Sequence, residues 1–452
     1  MNTALFFDDQ RLYARRNLTR RYGTPALIPD ATYRDPQNNA FLHSIWRDDA
    51  GKSHLFYLAF TPAHKLYIQA AESDDGLHWR PRNTAAEALS SYDFPNQLLP
   101  TDNAELACVY LDEHGARDER LKAFVARYHY DDLEVEDLVY ASEDGVHWRV
   151  LPGVHWSDRG CEPGAGCFWS EALRRHIVVA RAGWGIRRLC VYETPDFKTF
   201  TPSRVAVQVD SLDEPMTETY GMPAFPYQGW YVGFLWMYHT PDVNATKYWG
   251  GTMDCQLAYS VNGAHWQRCL RAPFVGNDLP ETAGMVYPMT LRTDKDGSLL
   301  ITAAAHEREH GHFNEPGASI VTYRLRQDGF VCLEADETGG SLCTRQVLLQ
   351  SGGIDWNLTA ETASVALLDA EGAPLDGFSH ADCVPFSGDS TAWRPQYQDG
   401  HTLEQLTGRI FAMELRLRSG RVYGYRGDFV PMMNQEAARY EQFGTVPDVL
   451  GF

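Results

Sequence analysis

The chain has no apolar run of the roughly 18 residues that a membrane-spanning helix needs, so no membrane partner is expected. No basic face is expected either, because 40 Lys and Arg against 60 Asp and Glu leave a formal net charge of −20. A nucleic-acid partner or an anionic membrane surface is therefore excluded, since nothing is available to neutralise phosphates. No CxxC pair exists, and the nine cysteines are scattered and odd in number. That pattern reads as free buried thiols in a reducing cytosol, not as a disulfide framework. The opening stretch Met1-Asn2-Thr3-Ala4-Leu5-Phe6-Phe7-Asp8-Asp9 shows no basic start, no long apolar run and no cleavage site. A cytoplasmic location is expected from it.

What is abundant is aromatic, at 12%, within an otherwise ordinary soluble composition of 44% hydrophobic and 22% charged residues. A short phrase recurs in which an acidic-Gly turn follows a strand and precedes an aromatic. It reads Ala71-Glu72-Ser73-Asp74-Asp75-Gly76-Leu77-His78-Trp79, then Ala141-Ser142-Glu143-Asp144-Gly145-Val146-His147-Trp148, then Tyr259-Ser260-Val261-Asn262-Gly263-Ala264-His265-Trp266. Weaker copies run from Tyr192 to Phe200 and from Leu325 to Phe330. Asp-Gly and Asn-Gly supply the positive φ that a hairpin turn requires. With the aromatics as markers the intervals are about 69, 52, 66 and 64 residues. Self-similarity of this kind in strand-rich units of four signals propeller blades. Five copies predict five blades, each longer than a minimal blade and so carrying long loops.

The expected fold is all-β, a five-bladed β-propeller over residues 1–337 followed by a β-sandwich over 338–452. After Thr338-Gly339-Gly340 the phrase stops, yet short alternating runs continue, such as Ala363 to Leu368 and Ile410 to Leu417. Strands with turns every ten or so residues read as a sandwich.

In a propeller the innermost strands converge on the axis, so acids at their starts meet although distant in sequence. The chain offers one near each blade's first strand: Asp35, Asp102, Asp158 with Glu162 close by, Glu218 and Glu281. An isolated acid before a strand is a solvated turn residue; recurrence at one blade position is what points to a site. Paired carboxylates suit glycosidic cleavage, one acting as nucleophile or base and the other as proton donor.

With the Asp-Pro of Arg34-Asp35-Pro36 before the first strand and acids opening the later blades, the chain resembles the furanosidase-type glycoside hydrolases. These are the invertase and levanase family and the related arabinanase and β-xylosidase family. The resemblance implies a five-bladed propeller with a base or nucleophile Asp in the first blade, a second Asp and a Glu acid, and in the invertase branch a C-terminal sandwich. The chain departs from the family pattern. No Asn-Asp-Pro-Asn-Gly and no Glu-Cys dipeptide are present. Glu162 and Glu218 therefore compete for the donor, and Asp102 and Asp158 for the second acid. The assignment favoured is Asp35 as nucleophile or base, Asp158 as positioning acid and Glu218 as donor. Arg34, Asp102, Glu162, Tyr220, Trp236, Glu281 and His310 are expected around the substrate.

One motif pulls elsewhere. His306-Glu307-Arg308-Glu309-His310 matches a zinc-protease pattern, whose chemistry needs both histidines one helical turn apart. The preceding Leu299 to Ala305 reads as a strand, and Gly311 with Pro316 reads as a loop, so no metal and no cofactor are expected. The partner expected is a small carbohydrate, with self-association left open. The alternative is a non-catalytic propeller that binds a carbohydrate.

Overall fold

The computed structural model describes residues 2–63, 65–83, 94–99, 103–129, 134–157, 161–182, 187–240 and 250–444. Of Glu134, Cys161, Glu162, Pro163 and Ala182 only the backbone is described. The chain is nearly all β, as its alternating aromatic and β-branched runs predict; one α-helix, Asn434–Phe443, occurs among the described residues. None of the described helices is long and apolar enough to cross a membrane. Two compact units form, Pro25–Arg324 and a second made from Met1–Thr24 with Leu325–Phe452.

The first unit is built from antiparallel sheets of four strands. Sheet 1 holds Asn39–Arg47, Ser53–Phe60, Leu66–Ser73 and Arg80–Pro81. Sheet 2 holds Ala104–Leu111, Leu121–His129, Glu134–Ser142 and Arg149–Val150, and sheet 3 holds Cys161–Ser170, Arg175–Ala182, Arg188–Thr194 and Arg204–Val207. Sheet 4 opens on a broken strand, Thr217–Gly221 and Ala224–Tyr227, and adds Trp230–His239, Thr252–Ser260 and Gln267–Arg268. Sheet 5 holds Met285–Thr293, Leu299–His306 and Ala318–Leu325; its fourth strand is Ala26–Tyr33. A single parallel pair, Met253 with Met285, ties sheets 4 and 5.

Apolar layers lie between successive sheets. Phe56 and Ile68 of sheet 1 pack with Leu106 and Val125 of sheet 2. Phe124 and Val139 pack with Val178 and Tyr192 of sheet 3, and Phe168 and Ile177 with Met222 and Leu235 of sheet 4. Trp236 meets Tyr287 of sheet 5 at 4.9 Å between ring centroids and donates from Nε1 to the Pro288 carbonyl at 3.0 Å. Tyr33 and Ile320 of sheet 5 then pack on Leu55 and Tyr57 of sheet 1, so the succession closes on itself.

The recurrent phrase is part of that packing. The Ser73, Ser142 and Ser260 hydroxyls accept from the backbone N–H of Gly76, Gly145 and Gly263 at 2.8–2.9 Å. Gly145 has φ +73, and a Cβ there would lie 2.9 Å from Cζ3 of Trp46 in the neighbouring sheet. Gly263 has φ +81 and the same intimacy with Phe168, at 2.5 Å. Both positions demand glycine twice, for the backbone conformation and for close approach.

In the second unit eight strands form one curled sheet around a main apolar core that includes Phe6, Trp356, Phe411, Met413 and Tyr425, with a smaller cluster of Leu348, Val430, Met432 and Ala437 beside the helix. Its two longest strands, Gln346–Leu368 and Ile410–Met432, have 23 residues each and pair through several register shifts. Such shifts bend a strand and let one sheet curve over its own core.

The boundary expected at 337/338 is not the one found. Asn2–Leu5 pairs with Ile410–Met432, Leu12–Arg16 with Gly340–Thr344, and Thr19–Tyr22 with Val331–Ala335. Both ends of the chain, including 1–24 and 325–337, thus belong with the second unit. The fifth copy of the phrase is not a blade turn either. Arg326 donates to Asn357 Oδ1 at 2.7 Å, and Asp328, in left-handed conformation at φ +58, takes a bond from Arg426.

Candidate active site

Within the first unit, early residues of the innermost strands come together. Phe41 of sheet 1 meets Tyr287 of sheet 5 at 5.0 Å, and Tyr287 meets Tyr220 of sheet 4 at 6.0 Å. Tyr220 shares a 2.9 Å hydrogen bond with His310 Nε2 and lies under the Arg181 guanidinium of sheet 3 at 4.3 Å. Arg181 acts in turn on the Glu105 carboxyl of sheet 2. The starts of these strands therefore share one end of the unit.

Three glutamates hold equivalent places there, each the second residue of an innermost strand. They are Glu105 in Ala104–Leu111, Glu162 in Cys161–Ser170 and Glu218 in Thr217–Gly221. Glu105 was missed by the sequence reading, which took Asp102 as the acid that opens the second blade. The signal that finds it is the in-strand position it shares with Glu218. The residue is half-buried, with Tyr128 and Arg181 beside its carboxyl. Burial raises its pKa; a 2.8 Å bond from the Tyr128 hydroxyl and the charge of Arg181 oppose this only in part.

Glu218 lies in different surroundings. Its Oε2 accepts from Arg187 Nη1 at 2.6 Å, with Arg187 9% and Glu218 29% exposed at the side chain. Burial opposes the Arg187 charge, but Tyr220, Glu218 and Tyr238 outweigh it and hold the guanidinium above its ordinary value. The guanidinium lies 4.9 Å from the Tyr238 ring centre, a cation–π contact.

Asp35 stands four residues before the Asn39–Arg47 strand and is half-buried. Its Oδ1 accepts from the Gln37 and Asn38 N–H groups, both at 2.8 Å. Its Oδ2 accepts from the Tyr57 hydroxyl, with Tyr33 at 3.4 Å and Asn96 Nδ2 at 3.5 Å. Burial, with Asp35 adding to it, pushes both tyrosine hydroxyls upward in pKa, so they remain donors. A carboxylate saturated with donors and still half-exposed is fixed in one orientation, as a nucleophile or base must be.

The other expected residues divide. Tyr220 and His310 belong to the cluster. Trp236 is wholly buried, packed between sheets 4 and 5, and offers no face to a ligand. Arg34 is an exposed partner of Glu307 at 3.2 Å. Glu281 lies in the short 3-10 turn Pro280–Thr282, where its charge reaches Tyr323. Asp102 and Asp158 lie outside the described residues, and Glu162 is placed by its backbone alone.

The zinc-type motif does not form a helical turn. His306 ends the strand Leu299–His306; its Nδ1 accepts from Arg308 N–H at 2.9 Å and its Nε2 faces the Glu315 carbonyl at 3.1 Å. His310 binds Tyr220 instead. Among the described residues no group of three or more metal-ligating side chains is gathered.

No protein-family model matches the sequence, and no curated protein does. Solved structures to which the chain is similar include a fructofuranosidase from Schwanniomyces occidentalis, at 10% identity and TM-score 0.44, covering 89% of this chain and 97% of that one. An exo-beta-1,3-galactanase from Phanerochaete chrysosporium matches at 8% identity and TM-score 0.43, covering 90% and 99%. A GH43_1 enzyme from Xanthomonas citri matches at 11% identity and TM-score 0.43, covering 69% and 93%. These neighbours are glycoside hydrolases, the class the sequence resembles. At such identities and scores no role below is drawn from them.

Proposed function

We propose that the chain is a glycoside hydrolase whose first unit is a five-bladed propeller and whose second is a sandwich-like accessory unit. What supports this is that Glu105 and Glu218, linked through Arg181, Tyr220 and Arg187, stand at the starts of innermost strands, with Asp35 held just ahead of the first of those strands. Asp35 serves as nucleophile or base, since its oxygens are acceptors held in place. Glu105 suits the proton donor, because a donor needs a raised pKa and burial pushes that of Glu105 upward. Glu218 keeps Arg187 in position, and the pair orients the substrate. Glu162, at the equivalent strand position, is the competing donor, with Asp102 and Asp158 competing for the second acid.

The substrate is a small oligosaccharide or glycoside, furanosides first. Tyrosine hydroxyls and guanidiniums supply hydrogen bonds to sugar hydroxyls, while the ring faces pack on C–H surfaces. No disulfide joins the eight cysteines whose side chains are described, which fits a cytoplasmic location.

A product screen against fructosides, arabinosides, xylosides and galactosides tests the reading. Turnover of one class that is abolished by Asp35→Asn and by Glu105→Gln supports it. Turnover unaffected by Glu105→Gln but abolished by Glu162→Gln moves the donor to sheet 3. Binding without turnover of any class, retained in the amide variants, would make the first unit a carbohydrate-binding propeller.

A further inference from the structure

The second unit carries a groove of about 390 Å³ that the catalytic reading does not use. Arg16, Arg416 and Arg418 line it, together with Ser341, Thr362 and Ser364. Register explains the pattern. Ser364 lies opposite Arg416, Arg416 opposite Ser341, and Ser341 opposite Arg16, so hydroxyls and guanidiniums alternate across four neighbouring strands. Residues directly opposite share a sheet face, and the face is the outer one, since the alternating Leu415 and Leu417 are buried in the core. Thr362 opposite Arg418 repeats the pairing one step along.

The charge is only partly offset. Arg416 pairs with Glu414 at 2.9 Å and Arg418 with Glu361 at 2.8 Å, each through one guanidinium nitrogen, while Arg16 has no carboxylate partner among the described residues. Each guanidinium carries five N–H donors, so most remain for a ligand. In a chain of net charge −20, such a concentration of donors selects anions. Arg16 and Arg416 stand two strand spacings apart, roughly 9.5 Å, a span that suits charges on alternate residues of a sugar chain. Leu417 and Ala363 are the apolar contributors, and both are largely covered. A protein partner would need an apolar patch at its centre, and a neutral sugar would favour an aromatic platform; neither lines the groove.

We propose that this groove binds an acidic oligosaccharide, with uronate or sulfate groups on the guanidiniums and ring hydroxyls on the Ser and Thr side chains. The site is separate from the pit and does not depend on hydrolysis. The test is calorimetric titration of the full chain with a galacturonate oligosaccharide, a sulfated oligosaccharide, a neutral oligosaccharide, inorganic sulfate and polyglutamate. At least one acidic oligosaccharide should bind about tenfold or more tighter than the neutral sugar, sulfate and polyglutamate. Raising salt from about 50 to 300 mM should weaken it severalfold. The Arg16→Gln/Arg416→Gln double variant should lose about tenfold in affinity while its melting temperature and its binding of small glycosides stay unchanged. Equal binding of the neutral sugar, sulfate matching the oligosaccharides, tighter polyglutamate, unchanged affinity in the double variant, or no binding of any acidic oligosaccharide would each overturn the proposal.

Discussion

Glu105→Gln is the substitution with the most to decide, because it sets stability against activity. The amide keeps the size of the side chain and its ability to accept from Tyr128, so only the charge is removed. Burial raises the Glu105 pKa even with Tyr128 and Arg181 opposing it, so the folded protein disfavours the ionised carboxylate. The sign follows from linkage. Below the unfolded value, near 4.3, both states hold the proton, and wild type and variant should be equally stable. As pH rises through that value and then through the higher folded one, the wild type loses stability and the variant does not. Each pK unit is worth about 1.4 kcal/mol. The variant should therefore be more stable at pH 7 by that amount for every unit by which the folded value is raised, with a correspondingly higher melting temperature. Scanning calorimetry at several pH values between 4 and 8 measures the gap. Hydrolysis of the glycoside found by the screen should fall by about a hundredfold or more. A variant less stable than wild type at pH 7, or a gap the same at pH 4 as at pH 7, would refute the account of a charge held against its preference.

Other outcomes follow from the same physics. Asp35→Asn should abolish turnover and lower the melting temperature modestly, because the amide oxygen can keep the two N–H bonds while the amide nitrogen replaces the acceptor that faces Tyr57, whose hydroxyl must turn to accept. Gly145→Ala should cost about 2–4 kcal/mol in urea unfolding, strain plus overpacking against Trp46. Gly153→Ala, at φ +70 with nothing within 4 Å of the new Cβ, should cost only about 1 kcal/mol; equal costs would show that inter-sheet contact is irrelevant. The 2.9 Å bond to Asp254 raises the His239 pKa, so its stabilisation is full below about pH 6.5 and fades as pH rises through the folded value. His239→Gln should thus be less stable than wild type at pH 6 and equal to it at pH 9. Chelator treatment should leave the melting temperature unchanged, since the backbone occupies both ring nitrogens of His306.

Much of the first unit was legible because its signals are local. Asp-Gly and Asn-Gly turns with a serine three residues earlier mark the hairpins, and runs such as Leu55 to Phe60 declare buried strands within a few residues of sequence. What could not be read was pairing between distant segments. Nothing in Ala26 to Tyr33 says that its partner is Ala318–Leu325, and nothing in Thr19 to Tyr22 points to Val331–Ala335. The boundary at 337 failed for that reason. The site was half legible. Asp35 stands out beside proline before a strand, whereas Glu105 hides inside a strand whose alternation accounts for it as a polar outward residue. Only the three-dimensional convergence of sheets 2, 3 and 4 distinguishes it. Trp236 failed in the opposite sense, since an aromatic in a strand looks alike whether it floors a pit or fills the space between sheets.

The closing strand Ala26–Tyr33 has a consequence for how this protein is made. During translation the first thirty or so residues leave the ribosome long before anything they pair with exists. Ala26–Tyr33 must wait for Ala318–Leu325, and Asn2–Leu5 for a strand that ends at Met432. A nascent chain with four sheets complete still has an open ring and unpaired edges at its head, the condition that invites strand addition by a neighbour. The first unit cannot close until Ala318–Leu325 is made, and the second waits longer, for Ile410–Met432. A product that stops before residue 318 would leave both incomplete.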